Sequence, residues 1–241
     1  IANNGIVAIG YTALHALTDG AKNIAIGYQA GLAADSGANN VIIGYQAFDS
    51  AGTGAANPAV SNIAIGVDAM GSVVEGTQDQ KAQNNIAIGQ SALLGGVLAN
   101  TKDLEDNIAI GRNALSATGT HASAGQIAIG KDALQALAGG ERNLAIGYAA
   151  LYSADENEDD NVAIGYHAMK LLEADTSDNN TAVGNYAMSA IEDAGVTDCV
   201  AIGYNALVGA DTTSGDGTIA IGSQALTSLT TGAKNVAIGY Q

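Results

Sequence analysis

Apolar and polar positions along the chain follow one short pattern, written over and over: Asn, a β-branched residue, Ala, Ile or Val, then Gly. Its first full copies are Asn23-Ile24-Ala25-Ile26-Gly27 and Asn62-Ile63-Ala64-Ile65-Gly66. The motif glycines stand at 10, 27, 44, 66, 89, 111, 130, 147, 165, 184, 203, 222 and 239. Their spacing runs from 17 to 23 residues. A period of this size marks a repeat architecture in which each unit is one turn of chain. Its elasticity places the length variation in connecting loops rather than in the packed part.

The columns are tighter than the spacing. The residue before each motif Gly is Ile or Val in every copy, and two before it stands Ala, with Ile42 the single exception. Four before it is usually Asn; Ile6, Gln126, Cys199 and Thr218 replace it elsewhere. Three after the Gly stands Ala, as in Ala30 and Ala150, and then usually Leu or Met. A strand alternates its faces with period two. Ile24 and Ile26 therefore share one face, and Asn23 and Ala25 the other. The bulky β-branched face predicts a surface packed on the core. The small face predicts a second packed surface against which another backbone layer, or another copy of the chain, approaches closely. The second copies of the pattern, Asn143, Ile146 and Gly147, read the same way.

Gly reaches positive φ without steric penalty, so the repeated Gly suits a corner that ends each strand. After it, Ala13-Leu14 with Leu17, and Ala133-Leu134 with Leu137, fit one or two turns of helix, with a second short strand as the alternative. The fold class expected is thus all-β, or β with short helical turns: a β-solenoid or β-roll of about thirteen rungs spanning roughly 60 Å at the ordinary strand spacing. One repeat solenoid is expected over residues 1–241 with no internal domain boundary. Because the chain opens inside one repeat and stops inside another, it reads as a fragment of a longer fibre. The Asn column predicts a ladder of side-chain amides, in which Cys199 is a small buried filler. Pro58 falls in a long connection where no ladder N–H is needed.

Composition supports regular packing of small side chains. Gly contributes 32 residues, Pro and Phe one each, and Trp none, while 47% of the chain is apolar. The net charge of −16 disfavours nucleic acid and anionic membrane surfaces as partners. With one cysteine the chain has no internal disulfide, and no apolar run is long enough to insert into a membrane. Nearly all acidic residues lie in the connections, so acidic loops are expected to project outwards from a neutral spine.

No catalytic motif, phosphate-binding loop or zinc-binding helix signature occurs, and the expectation is a protein that is not an enzyme and carries no cofactor or metal. His15, His121 and His167 stand in three separate repeats. Asp155-Glu156-Asn157-Glu158-Asp159-Asp160 has the hard oxygen ligands calcium takes, but lacks a calcium-repeat pattern and reads first as a solvated loop. Tyr11, Tyr28, Tyr45, Tyr148, Tyr166, Tyr204 and Tyr240 follow the motif Gly. They read either as a stripe that stacks on glycan or, preferably, as cover for a corner of the coil or a subunit seam.

The strings NIAIGYQAG (23–31), NLAIGYAAL (143–151) and NVAIGYQ (235–241) resemble the repeats of the head domains of YadA-like trimeric autotransporter adhesins. They are also similar to the Asn-x-Ala-Ile-Gly-Tyr-Gln-Ala-Leu repeats of bacteriophage tail fibres. The resemblance covers essentially the whole chain. It implies a solenoid spine assembled as a parallel homotrimer, exposed outside a bacterium or on a virion, and used for attachment to a host-surface glycan or protein receptor. The longer acidic connections and the Tyr after Gly move the match towards the tail fibre. The expected function is accordingly a structural and adhesive fibre segment, with a bacterial adhesin head or a purely structural extracellular filament as alternatives.

Overall fold

A computed structural model of the chain describes residues 4–33, 36–50, 59–73, 82–95, 103–117, 123–137, 139–154, 158–172, 177–190, 195–208, 216–229 and 232–241. Pro58, His121 and Asp155-Glu156-Asn157 lie outside them. The described residues contain strands and turns and no helix. The architecture is a parallel β-solenoid, as the repeat predicts. By its contacts the chain divides into two compact units, Ile1–Gln126 and Ile127–Gln241.

In the first unit the motif strands are Val7–Ile9, Ile24–Ile26, Val41–Ile43, Ile63–Ile65, Ile86–Ile88 and Ile108–Ile110. Each pairs in parallel with the next, motif position on motif position: Ile24 on Val41, Ala25 on Ile42, Ile26 on Ile43. A second, shorter parallel sheet joins Ala82–Gln83, Leu104–Glu105 and Ser123–Ala124. The second unit repeats the plan with Ile127–Ile129, Leu144–Ile146, Val162–Ile164, Thr181–Val183, Val200–Ile202, Ile219–Ile221 and Val236–Ile238. Its short sheet joins Ala136–Leu137, Ser153–Ala154 and Leu171–Leu172.

The motif Gly is a position of close approach as well as a corner. Gly27 has φ +142° and Gly147 φ +137°, and a Cβ on either would overlap the carbonyl oxygen of the Gly one turn on, Gly44 or Gly165. Only a residue without a side chain lets successive turns stack at this point.

The residues after the Gly form no helical turn. Instead, left-handed residues occur two and four positions on: Gln29 and Gly31 (φ 55° and 62°), Ala149 and Leu151 (φ 48° and 46°). Alternation of left-handed with other conformations cannot build a right-handed helix. It bends the chain tightly and keeps its N–H groups aligned with the neighbouring turn. Gln29 N–H donates to Tyr11 O at 2.9 Å, Leu14 N–H to Ala30 O at 3.0 Å and Gly31 N–H to Ala47 O at 2.9 Å. The apolar spacing at Leu14 and Leu17 therefore reflects a tight non-helical corner. The second-strand alternative holds after the corner in the second unit, at Ala136–Leu137, Ser153–Ala154 and Leu171–Leu172, whereas the short strands of the first unit lie just before the Asn column.

The two faces of the motif strand are the reverse of the sequence expectation. Ala25 and Ala30 are fully buried, as are Ala145 and Ala150, and the Asn column is buried with them. Ile24 and Ile26 are only half-buried, and so is Ile146. No Ile, Val or Leu of any motif strand on that face is buried. The core is instead made of the Ala column, the Ala and Leu, Met or Phe that follow the Gly (Phe48, Met70, Leu93, Leu115, Leu134, Leu151), and side chains from the opposite wall such as Leu104, Leu137 and Leu172.

Hydrogen bonding gives the reason. Asn23 Nδ2 donates at 2.6 Å to Gly37 O, three residues before the next column member Asn40, and Asn40 Nδ2 at 2.9 Å to Ala59 O, three before Asn62. Each Asn Oδ1 accepts the main-chain N–H of the next column member: Asn40 on Asn23 at 2.9 Å, Asn62 on Asn40 at 2.9 Å, Asn85 on Asn62 at 3.0 Å. Those backbone groups are inside the coil and out of reach of water, so an inward side chain must satisfy them. The Asn must point in. Ala, two residues on, shares its face and points in as well, and the Ile residues are left outside.

Candidate functional site

With Ala and Asn committed to the interior, the outer surface of each sheet is a set of apolar columns. The β-branched residues of the motif strands form two of them, and the Tyr after the Gly a third. Ile88 and Ile129 are 36% exposed, Ile202 38% and Val67 42%. Isolated exposed apolar residues are ordinary, but contiguous columns of them are characteristic of an interaction surface.

The tyrosines form stacks rather than separate platforms. Tyr11 and Tyr28 have ring centroids 5.4 Å apart at 15°, and Tyr28 and Tyr45 5.2 Å at 8°. In the second unit Tyr148 and Tyr166 stand 5.3 Å apart at 14°. His167 lies 4.0 Å from Tyr166 at 13°, and Tyr186 meets both edge-on. In each parallel stack the ring faces cover one another. A sugar needs an open ring face, so this geometry favours the corner or seam role over a glycan platform. Tyr186 was not singled out in the sequence because it stands two residues after its Gly rather than one. Where Lys131 replaces Tyr, its ammonium lies 4.6 Å from the Tyr148 ring centroid, maintaining contact with the aromatic column, and pairs with Asp132 at 2.8 Å.

The acidic positions divide by role. Asp159 Oδ1 accepts the Glu141 N–H at 2.6 Å and Asp178 Oδ1 the Asp159 N–H at 2.8 Å, so these carboxylates close the main-chain hydrogen bonds of a loop. Arg142 joins Asp160 at 2.8 Å and Glu141 at 2.6 Å on the surface. The guanidinium holds the Asp160 carboxyl below the usual carboxylate range. Glu158, expected in a solvated loop, is fully buried, and Asp132 nearly so. The position of Glu158 follows from the register of the turn, which puts Glu158 O opposite Asn143 Nδ2 at 2.7 Å. Among the described residues no three His, Cys, Asp or Glu side chains converge as metal ligands. A shallow cleft of about 300 Å³ lies among Asp49, Ser50, Asp68 and Ser91. Burial raises the Asp49 carboxyl, while Ser50 Oγ donates to it at 3.3 Å.

Cys199 occupies the Asn column, buried, with its N–H donated to Asn180 Oδ1 at 3.0 Å. Burial pushes its thiol up, away from the reactive thiolate form. The predicted positions Asn23, Ala25, Gly27 and Ala30, with Asn143, Gly147 and Ala150, thus form the spine, whereas Ile24, Ile26 and Ile146 belong to the outer face. One column was missed in the sequence. The residue before each member of the Asn column is left-handed, as in Asn39, Asn84, Asp106, Asp160 and Asn179, and in Asp198 before Cys199. Asn, Asp and Gly tolerate that conformation best, and their enrichment there was a legible signal.

These features define the class of protein: a parallel β-solenoid repeat protein with an amide-lined, alanine-rich interior and an apolar outer face. Compared with protein-family models, curated proteins and solved structures, the chain matches none. No helix among the described residues is long and apolar enough to cross a membrane.

Proposed function

We propose that this chain is a non-catalytic structural and adhesive segment of an extracellular fibre, a phage tail-fibre shaft or head, that works as a parallel homotrimer and supports attachment to a host-surface receptor. The observation that carries this reading is the exposed face of Ile, Val and Tyr columns on a protein whose interior is already filled by Ala, Asn and Leu. A face of that kind gains from being covered, at about 25 cal/mol per Å² of apolar surface removed from water. In-register repeats give each chain the same face at the same height, which suits a cyclic assembly of parallel copies. The seam in this reading is the Ile face; the Ala face, assigned to it from sequence, is inside the coil. The preference for a tail fibre over an adhesin head rests on the Tyr after Gly and the long acidic connections.

The test is the mass in solution by light scattering, with and without a chelator. A mass three times that of the chain supports the assembly, and the double variant Ile88→Asp/Ile202→Asp should then lower it towards one chain while the β circular-dichroism signal persists. A wild-type chain that stays monomeric at tens of micromolar overturns the trimer. A trimer lost only on chelation reassigns the acidic loops as calcium sites.

A further inference from the structure

The tyrosine stacks have a chemical consequence that follows from the geometry of the single chain and, in the proposed assembly, requires that the seam run along the Ile columns and leave the Tyr column open. We infer that Tyr11–Tyr28, Tyr28–Tyr45 and Tyr148–Tyr166 are sites of oxidative aryl coupling, where one-electron oxidants join neighbouring turns of the same chain through a carbon–carbon bond. Three observations carry this. The rings are close and nearly parallel, at 5.4, 5.2 and 5.3 Å with interplanar angles of 15°, 8° and 14°. The strands beside them pair in register, so each ring is carried at the same motif position as its counterpart in the next turn. The side chains are open to a diffusing oxidant: Tyr28 is 42% exposed, Tyr45 50%, and Tyr148 and Tyr166 41% each.

The chemistry balances without any group from the protein beyond the two phenols. Each phenol gives one electron and one proton to the oxidant, for example hydrogen peroxide acting through a haem peroxidase. Two neutral phenoxyl radicals result, with spin density on the carbons ortho to oxygen. Those carbons bond, the two ortho hydrogens move to the oxygens, and both rings regain aromaticity. One peroxide becomes two waters, and the protein loses two hydrogens per bond. A radical formed on an isolated tyrosine must wait for an encounter with another molecule. In the stack its partner is already beside it, an effective concentration that diffusion cannot match. The rings need only tilt about their side-chain torsions to bring the ortho carbons together. The edge-on pairs Tyr166–Tyr186 and Tyr186–Tyr204, at 72° and 86°, do not present like atoms to one another.

The experiment treats the intact chain with peroxidase and limiting peroxide, starting from equimolar ¹⁵N-labelled and unlabelled chains unfolded and refolded together so that any assembly contains both, and maps the products by trypsin digestion and mass spectrometry. Cleavage after Lys22 separates Tyr11 from Tyr28, and cleavage after Arg142 and Lys170 leaves Tyr148 and Tyr166 in one peptide. The expected products are peptide 1–22 joined to the peptide containing Tyr28, a Tyr28–Tyr45 link, and peptide 143–170 short of two hydrogens through Tyr148 and Tyr166. All should be of uniform isotope label. Tyr28→Phe should abolish both first-unit links and leave the Tyr148–Tyr166 link unchanged, which guards against a folding artefact. Links of mixed label only, links spread equally to Tyr152 and Tyr240, or oxidised tyrosine with no dityrosine fluorescence would each overturn the inference.

Discussion

At the scale of single residues, stability is concentrated where backbone meets backbone. Gly147 combines φ +137° with a direct approach to the carbonyl of Gly165. Gly147→Ala must both strain the backbone and push two turns apart. The expected loss is about 3 kcal/mol or more, visible as a lower urea midpoint. Ala substitution at Gly5, whose nearest neighbour would be the flexible Lys22 side chain at 3.6 Å, meets no such backbone. It should cost about 1 kcal/mol, from conformation alone. A gap of that size between two glycines of positive φ would show that stacking, rather than turn geometry, holds the motif Gly.

At the scale of the element, the Asn ladder and the aromatic column make separate predictions. Asn161 accepts the Asn180 N–H at 2.9 Å and donates to Ser177 O at 2.7 Å, all buried. Asn161→Ala leaves both unsatisfied and should cost about 3 kcal/mol, more than the pair of hydrogen bonds would contribute in the open. Cys199→Asn should act in the other direction, by about 1 kcal/mol, because an amide there continues the ladder towards the next turn. Equal midpoints for Cys199→Asn and wild type in urea would sink that expectation. In the aromatic column, burial and then Lys170 lower the His167 pKa below 6.5. The unfolded chain therefore binds the proton first. The stability His167 contributes is present above the ordinary histidine range and is lost as the pH falls through it, levelling off below the folded-state value. His167→Phe keeps the stack and should remove that part of the pH dependence; thermal melts between about pH 4.5 and 8.5, about two units either side of the free imidazole, check it.

At the scale of the whole molecule, nearest-neighbour stacking makes the repeat itself the unit of change. Removing residues 131–147 takes out one period of 17, from after Gly130 to Gly147. It brings Ile127–Ile129 next to Val162–Ile164 in unchanged register. That deletion should leave a folded, shorter second unit. Removing residues 131–145 instead leaves Ile146-Gly147 to follow Gly130 and duplicates the corner without its strand, so that turn should lose cooperative unfolding. Circular dichroism and the sharpness of the denaturation curve distinguish the two.

The repeat, its columns and its period were legible in the sequence because every turn makes the same contacts and selection of residue types is therefore printed many times over. The β-solenoid, the glycine corner and the amide ladder follow from Asn23, Gly27 and their copies alone, while the choice between a helical turn and a strand after the Gly stayed open. Two features were not legible. The tight corner after the Gly mimics helical spacing at Ala13-Leu14 and Leu17, and only the left-handed alternation at Gln29 and Gly31 identifies it. The direction of the strand faces was also hidden. Hydrophobicity assigns Ile24 and Ile26 to the core, but Asn23 has main-chain groups to satisfy inside the coil, and those groups exist only once the chain has closed on itself. The sequence by itself determined which residues share a face; the closed turn, through the hydrogen bonds that must be made inside it, decided which face is the inside.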